Sequence, residues 1–119
     1  MSRVIVFYRT PAGNCPVEDF LDQLPAAVGR KITWVLRIVE EEDLVPTQYF
    51  KKLKGSEEIW ECRVNYGSNT YRILCFFTPG NRLVLTHGFM KKTQKTPQRE
   101  IARAEDFRKD YLSRRHDNE

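Results

Sequence analysis

A chain of 119 residues that is 40% hydrophobic suits one domain with a single core, since domains of about 100–150 residues are the commonest size. No stretch approaches the roughly 18 consecutive apolar residues of a membrane helix, and the opening Met1-Ser2-Arg3-Val4 lacks the apolar run of a secretory signal, so a cytoplasmic protein without membrane contact is expected. The net charge is +4, and the three cysteines, an odd number with no Cys-x-x-Cys spacing, argue against a disulfide framework or a zinc site and leave Cys62 and Cys75 as small buried hydrophobes.

Val4-Ile5-Val6-Phe7-Tyr8 reads as a first strand, closed by the turn-forming Thr10-Pro11-Ala12-Gly13-Asn14. Pro16 suits a first helical position, and Val17, Phe20, Leu21 and Leu24 then recur on one face of a short helix. Pro25 separates it from a longer amphipathic helix carrying Val28, Ile32, Val35, Leu36 and Val39. The acids Glu40–Asp43 follow where the helix dipole disfavours negative charge, which predicts fraying there.

The period then changes. Ile59–Asn65 and Tyr71–Thr78 read as strands joined by a loop of five residues, Tyr66–Thr70, and Arg82–Met90 as a third, after the turn Thr78-Pro79-Gly80-Asn81. Thr96-Pro97 reads as an N-cap with proline at the first helical position, and Ile101, Ala104, Phe107 and Tyr111 mark a terminal helix before a polar tail from Ser113 to Glu119. The predicted order is β-α-α-β-β-β-α. It describes an α+β domain whose helices pack on one face of an antiparallel sheet, the other face remaining open to a ligand.

The charge is laid out in blocks. Residues 17–46 hold seven acids and three bases, whereas residues 47–96 hold nine bases and three acids, the footprint expected for a polyanion partner. Metal motifs, phosphate loops and nucleophile elbows are missing from the sequence, so neither a cofactor nor a metal is expected. What remains is cations on and beside the strands: Lys51, Lys52 and Lys54 before the second, Arg63 within it, Arg72 within the third, and His87, Lys91, Lys92 and Lys95 at the end of the fourth. In an antiparallel meander such groups converge across neighbouring strands. Such an inventory is compatible with RNA cleavage by the adjacent 2′-hydroxyl, which needs in-line orientation, proton transfer and neutralisation of phosphate charge.

Blander readings stand beside these. His87 alternates with Leu83, Leu85 and Phe89 and fits a hydrogen-bonded core histidine as well as a site residue. The three lysines also fit a solvated loop, and Arg63 and Arg72 fit ion pairs with Glu57, Glu58 or Glu61. Glu61 shares the face of Arg63 and reads either as a general base or as a structural partner. Tyr66 and Tyr71 read as packing residues.

Lys51-Lys52-Leu53-Lys54-Gly55, Ile59-Trp60-Glu61-Cys62-Arg63-Val64 and Tyr71-Arg72-Ile73-Leu74 together resemble the RelE/HigB superfamily of toxins. The string from Leu85 to Pro97, with His87-Gly88-Phe89-Met90-Lys91-Lys92 at its centre, resembles its phage-derived, HigB-like branch. The resemblance implies a RelE-like fold, a ribosome-dependent endoribonuclease that cuts mRNA in the decoding site, and a cognate antitoxin that carries a helix-turn-helix DNA-binding domain. It implies that Lys52 and Lys54 form the basic loop, that Arg63 contacts phosphate with Arg72 as a further contact, and that Lys91 and Lys92 lie in the C-terminal active-site region. On this basis Lys54 or Lys92 is expected to transfer the proton, with His87 as a further catalytic candidate and Lys51, Lys52, Lys91 and Lys95 as RNA contacts. One departure is plain: the last helix and its Arg114-Arg115-His116 tail run past the point where some relatives place a catalytic tyrosine or histidine. Alternatives from other classes are a binding module that docks RNA or protein without cutting, and an inactive phage-derived remnant.

Overall fold

A computed structural model describes residues 2–92 and 95–114. Its elements are β1 (Val4–Phe7), α1 (Pro16–Asp22), α2 (Ala26–Glu41), β2 (Phe50–Lys52), β3 (Trp60–Tyr66), β4 (Asn69–Thr78), β5 (Arg82–Lys91) and α3 (Gln98–Ser113). No helix among the described residues is long and apolar enough to cross a membrane. The tail expectation for 115–119, His116 included, falls outside the described residues.

The five strands form one sheet in the order β1-β5-β4-β3-β2. It is mixed and not antiparallel: β1 runs parallel to β5, with Val4 opposite Arg82 and Phe7 opposite Leu85. The parallel pairing is possible because α1 and α2 carry the chain across the sheet between its two edges. A second correction is β2, three residues that pair with β3 through Phe50–Cys62, Lys51–Glu61 and Lys52–Trp60. The β3–β4 turn is also tighter than expected, since Tyr66 pairs with Asn69 and leaves only Gly67 and Ser68 between them. Gly67 has φ +60°, as the first central position of a type II′ hairpin turn requires.

Helices cover both faces, not one. The apolar faces of α1 and α2 (Val17, Val28, Ile32, Val35, Val39) close on Cys62, Val64, Tyr71, Ile73, Cys75, Leu83 and Leu85. On the opposite face Ala104 and Tyr111 of α3 pack with Tyr8, Ile59, Leu74, Phe76 and Val84. The run Ile73–Phe76 is buried throughout because alternate residues enter different cores. Tyr71 packs near Phe20 as expected, at 6.4 Å between ring centroids, but Tyr66 is exposed and packs in neither core.

Three local details decide where side chains go. The ladder shifts register between Leu74–His87 and Cys75–Leu85, so Thr86 is an extra residue in β5. Its hydroxyl donates to the Leu74 carbonyl at 2.8 Å, and the bulge turns His87 to the α3 face, away from Leu83 and Leu85. Gly88 lets α1 approach β5: a Cβ there would sit 2.7 Å from Cε2 of Phe20. At the end of α2 the predicted fraying gives way to a cap, because Arg3 donates to the carbonyls of Val39 (2.9 Å) and Glu42 (2.7 Å) and brings positive charge to the helix C-terminus.

Candidate functional site

Because α3 lies over β4 and β5, the β2 side of its face of the sheet stays uncovered, and a cleft of about 400 Å³ opens there. Strand register lays out its floor as a diagonal. Lys51 lies opposite Glu61 at one corner, Arg63 opposite Arg72 at the middle, and Lys91 opposite Thr70 at the other corner. The β2 side is completed by the turn Leu53-Lys54-Gly55, where Gly55 has φ +87°, a conformation favouring glycine. The opposite wall is the lead-in and first turns of α3, with Lys95, Thr96, Gln98 and Ile101.

Six cationic residues therefore line one cleft: Lys51, Lys52, Lys54, Arg63, Lys91 and Lys95. Lys52 pairs with Trp60, so strand alternation sends its side chain to the face opposite that of Lys51, and it borders the cleft from the strand edge. Glu61 is the only acid among the described lining residues and is 2% exposed. Arg72 Nε lies 3.0 Å from its Oε1 and Arg63 Nε 3.4 Å from the same oxygen, while the Thr96 hydroxyl donates to Oε2. Neither arginine Nε is aligned for a hydrogen bond, so these are charge contacts. Arg63 is further held by Nη1, which donates to the Thr47 carbonyl at 3.3 Å.

Burial pulls the Arg72 pKa below its ordinary value, and Glu61 beside it pushes back. The Lys91 ammonium is held below the usual lysine value by partial burial first, then by Arg72, Arg63 and Lys51, with Glu61 acting in the other direction. A lysine so placed loses its proton more readily than a solvated one.

The sequence candidates separate on this geometry. Lys51, Lys52, Lys54, Arg63, Lys91 and Lys95 come together. Arg72 stands beneath the floor, 5% exposed and engaged with Glu61. Lys92 is exposed and borders a neighbouring depression beside Met90 and Arg99, which shares the Lys91, Lys95 and Thr96 wall. His87 is not brought to the cleft. It is 1% exposed, with Nδ1 3.1 Å from Thr86 Oγ1 and Nε2 3.0 Å from Glu100, and it borders a separate pocket with Phe20, Arg103 and Phe107. Burial lowers its pKa, the Glu100 hydrogen bond raises it, and Arg103 lowers it.

Sequence reasoning missed Thr96 and Gln98. Thr96 reads as a helix cap, but the position before α3 is Pro97, and the threonine hydroxyl turns instead to the buried Glu61 carboxylate. No group of three His, Cys, Asp or Glu side chains among the described residues is arranged to hold a metal ion.

The family described as Phage derived protein Gp49-like (DUF891) matches residues 19–109, a span that runs from α1 into α3 and contains every cleft residue named above. That family is related to RelE/HigB-type toxins. No curated protein matches the chain.

Proposed function

The chain belongs to the phage-derived Gp49-like family, and from that premise we propose that it is the toxin of a type II toxin–antitoxin pair of the RelE/HigB kind, an endoribonuclease that cuts mRNA on the ribosome. The observation that carries the reading is the convergence of six cations on one cleft where the one acid among the described lining residues, Glu61, is already engaged. Lys51, Lys52 and Lys54 carry no ion pair among the described residues, so a phosphodiester entering the cleft displaces water and no internal anion.

The chemistry follows from the side chains. Arg63, fixed at Nε and Nη1, offers its remaining donors to a non-bridging phosphate oxygen and neutralises the charge that builds in the transition state. Lys91, in its neutral form, takes the proton of the 2′-hydroxyl as that oxygen bonds to phosphorus. Lys54, an ammonium on the opposite side, gives a proton to the departing 5′-oxygen as the P–O5′ bond breaks. A 2′,3′-cyclic phosphate and a 5′-hydroxyl result. In this reading Lys54 and Lys91 share the proton transfer, and Lys92, one of the two lysines expected to carry it, borders the neighbouring depression and not the cleft.

An antitoxin partner follows from the same charge: an acidic segment that folds over the cleft would silence it, and in this branch such a segment belongs to a protein with a helix-turn-helix domain. A second reading has one observation in its favour. Glu61 is locked in ion pairs and His87 lies elsewhere, which is also what a cleft that binds RNA without cutting would show.

Mapping mRNA 5′ ends in bacteria after brief induction, with Arg63→Ala as control, tests both. New ends inside translated regions, in fixed relation to the reading frame and absent in the control, are expected. Ends unrelated to translation remove the ribosome from the proposal. No new ends, with RNA bound and intact, leave the binding module.

A further inference from the structure

We infer that Glu61 is the positioning residue of the cleft: it holds Arg63 in its phosphate-facing pose and, through Thr96, holds the α3 wall against the strand floor. The inference rests on the reading of the cleft as a ribonuclease site and names what sets its geometry.

Three parts of the fold meet at this one carboxylate. Glu61 itself and Arg63 stand on β3, Arg72 comes from β4, and Thr96 from the segment leading into α3. Arg63 and Arg72 are directly opposite each other in the ladder, an arrangement that like charges disfavour. Glu61 Oε1, between their Nε atoms at 3.4 and 3.0 Å, is what allows it. A carboxylate 2% exposed is costly to desolvate unless charged or hydroxyl donors surround it, so the three partners are held as firmly as they hold it. With a charge contact from Nε to Glu61 and a hydrogen bond from Nη1 to the Thr47 carbonyl, the Arg63 guanidinium is held from two sides and keeps Nη2 for a ligand. The Thr96 hydroxyl on Oε2 fixes the chain next to Lys95 and Gln98, which form the opposite wall. One buried acid thus ties both sides of the cleft together without needing to touch RNA.

Glu61→Gln keeps the shape and an acceptor for Thr96 but removes the shared anion. Kinetics on mRNA-programmed ribosomes across pH test it with the full chain. The expected result is a loss in kcat of about 100-fold, the scale of an ångström misplacement, with KM changed much less, because the exposed lysines that attract RNA are untouched. The pH limb that reports Lys91 deprotonation should also move to lower pH, since Glu61 is the group that favours the charged lysine. A purely structural acid, whose loss lowers stability but leaves the folded cleft intact, would leave kcat unchanged. Wild-type cleavage with an unchanged kcat and limb in the variant overturns the inference and leaves the nuclease reading standing. A folded wild type that binds RNA and never cuts overturns both. Should Glu61→Gln fail to fold, Thr96→Val carries the test. A kcat loss of about tenfold at constant KM supports the tie between walls, and an unchanged kcat overturns it.

Discussion

Arg72 lies directly opposite Arg63 across the β3–β4 ladder, yet the two guanidinium groups have opposite surroundings: the Arg72 side chain is 6% exposed beneath the sheet surface, that of Arg63 29% exposed at the cleft. Both touch Glu61 Oε1. The pair therefore divides labour, one arginine held in the structure and the other presented to solvent, and substitution should separate stability from activity.

Arg72→Ala leaves the buried Glu61 with one partly exposed arginine and one hydroxyl. Removing one partner of a buried ion pair costs about 3–5 kcal/mol, so urea unfolding should show a loss of this size. Arg63→Ala should cost much less in the same measurement, because its partner keeps Arg72, while abolishing cleavage. Equal destabilisation by the two changes would contradict the division.

Gly88→Ala should destabilise by about 1–3 kcal/mol, the range for overpacking, because the new Cβ lands on the Phe20 ring. Combining it with Phe20→Leu should recover part of the loss relative to the sum of the single changes, since the two sites touch. Strict additivity in that double-mutant cycle would show that the close approach of α1 to β5 is not what requires glycine.

Much of this was legible in the sequence, for reasons that particular residues make plain. Val4–Phe7, the proline-opened α1, the apolar stripe of α2 and strands β3 to β5 are all local patterns, and the structure has them within one to three residues at each end. Phe50-Lys51-Lys52 is not legible as a strand, because three residues carry no period and two of them are lysines; β3 makes it one. The placement of α3 on the second face had a signal in the unbroken apolar run Ile73–Phe77, which marks a strand buried on both sides. His87 misleads because strict alternation with Leu85 fails at the Thr86 bulge. In the cleft, the lysines and Arg63 announce themselves by charge, whereas Thr96 reads as an ordinary cap until the buried carboxylate it serves is seen.

His87 makes stability depend on pH in a stated direction. Burial holds its folded pKa below 6.5, so the unfolded chain binds the proton more readily. Its neutral form is favoured in the fold, and stability is complete above about pH 6.5 and falls as pH drops from there through the lower, folded pKa. Thermal melts at pH 7.5, 6.5 and 5.5 should show a fall that His87→Gln reduces, because glutamine has no proton to take up in that window. A variant whose melting temperature falls as steeply as that of the wild type would place the acid sensitivity elsewhere.

The cleft lysines make a graded prediction about salt. Each cation that contacts a phosphate on single-stranded RNA releases condensed counterions, so its removal should flatten the plot of log affinity against log salt by about 0.7. Lys54→Ala and Lys51→Ala should each do so, with binding of a short RNA weakened similarly for unrelated sequences, since phosphate contacts carry no base information. Lys31→Ala is the control: its ammonium lies 4.9 Å from the Trp34 ring centroid on α2, which packs on the opposite face of the sheet from the cleft, and it should leave the slope unchanged. Titrations by fluorescence anisotropy at four salt concentrations read all three slopes. If Lys31→Ala flattened the slope as much as Lys54→Ala, RNA would be following the general basic character of the surface, and the cleft would lose its claim to the ligand.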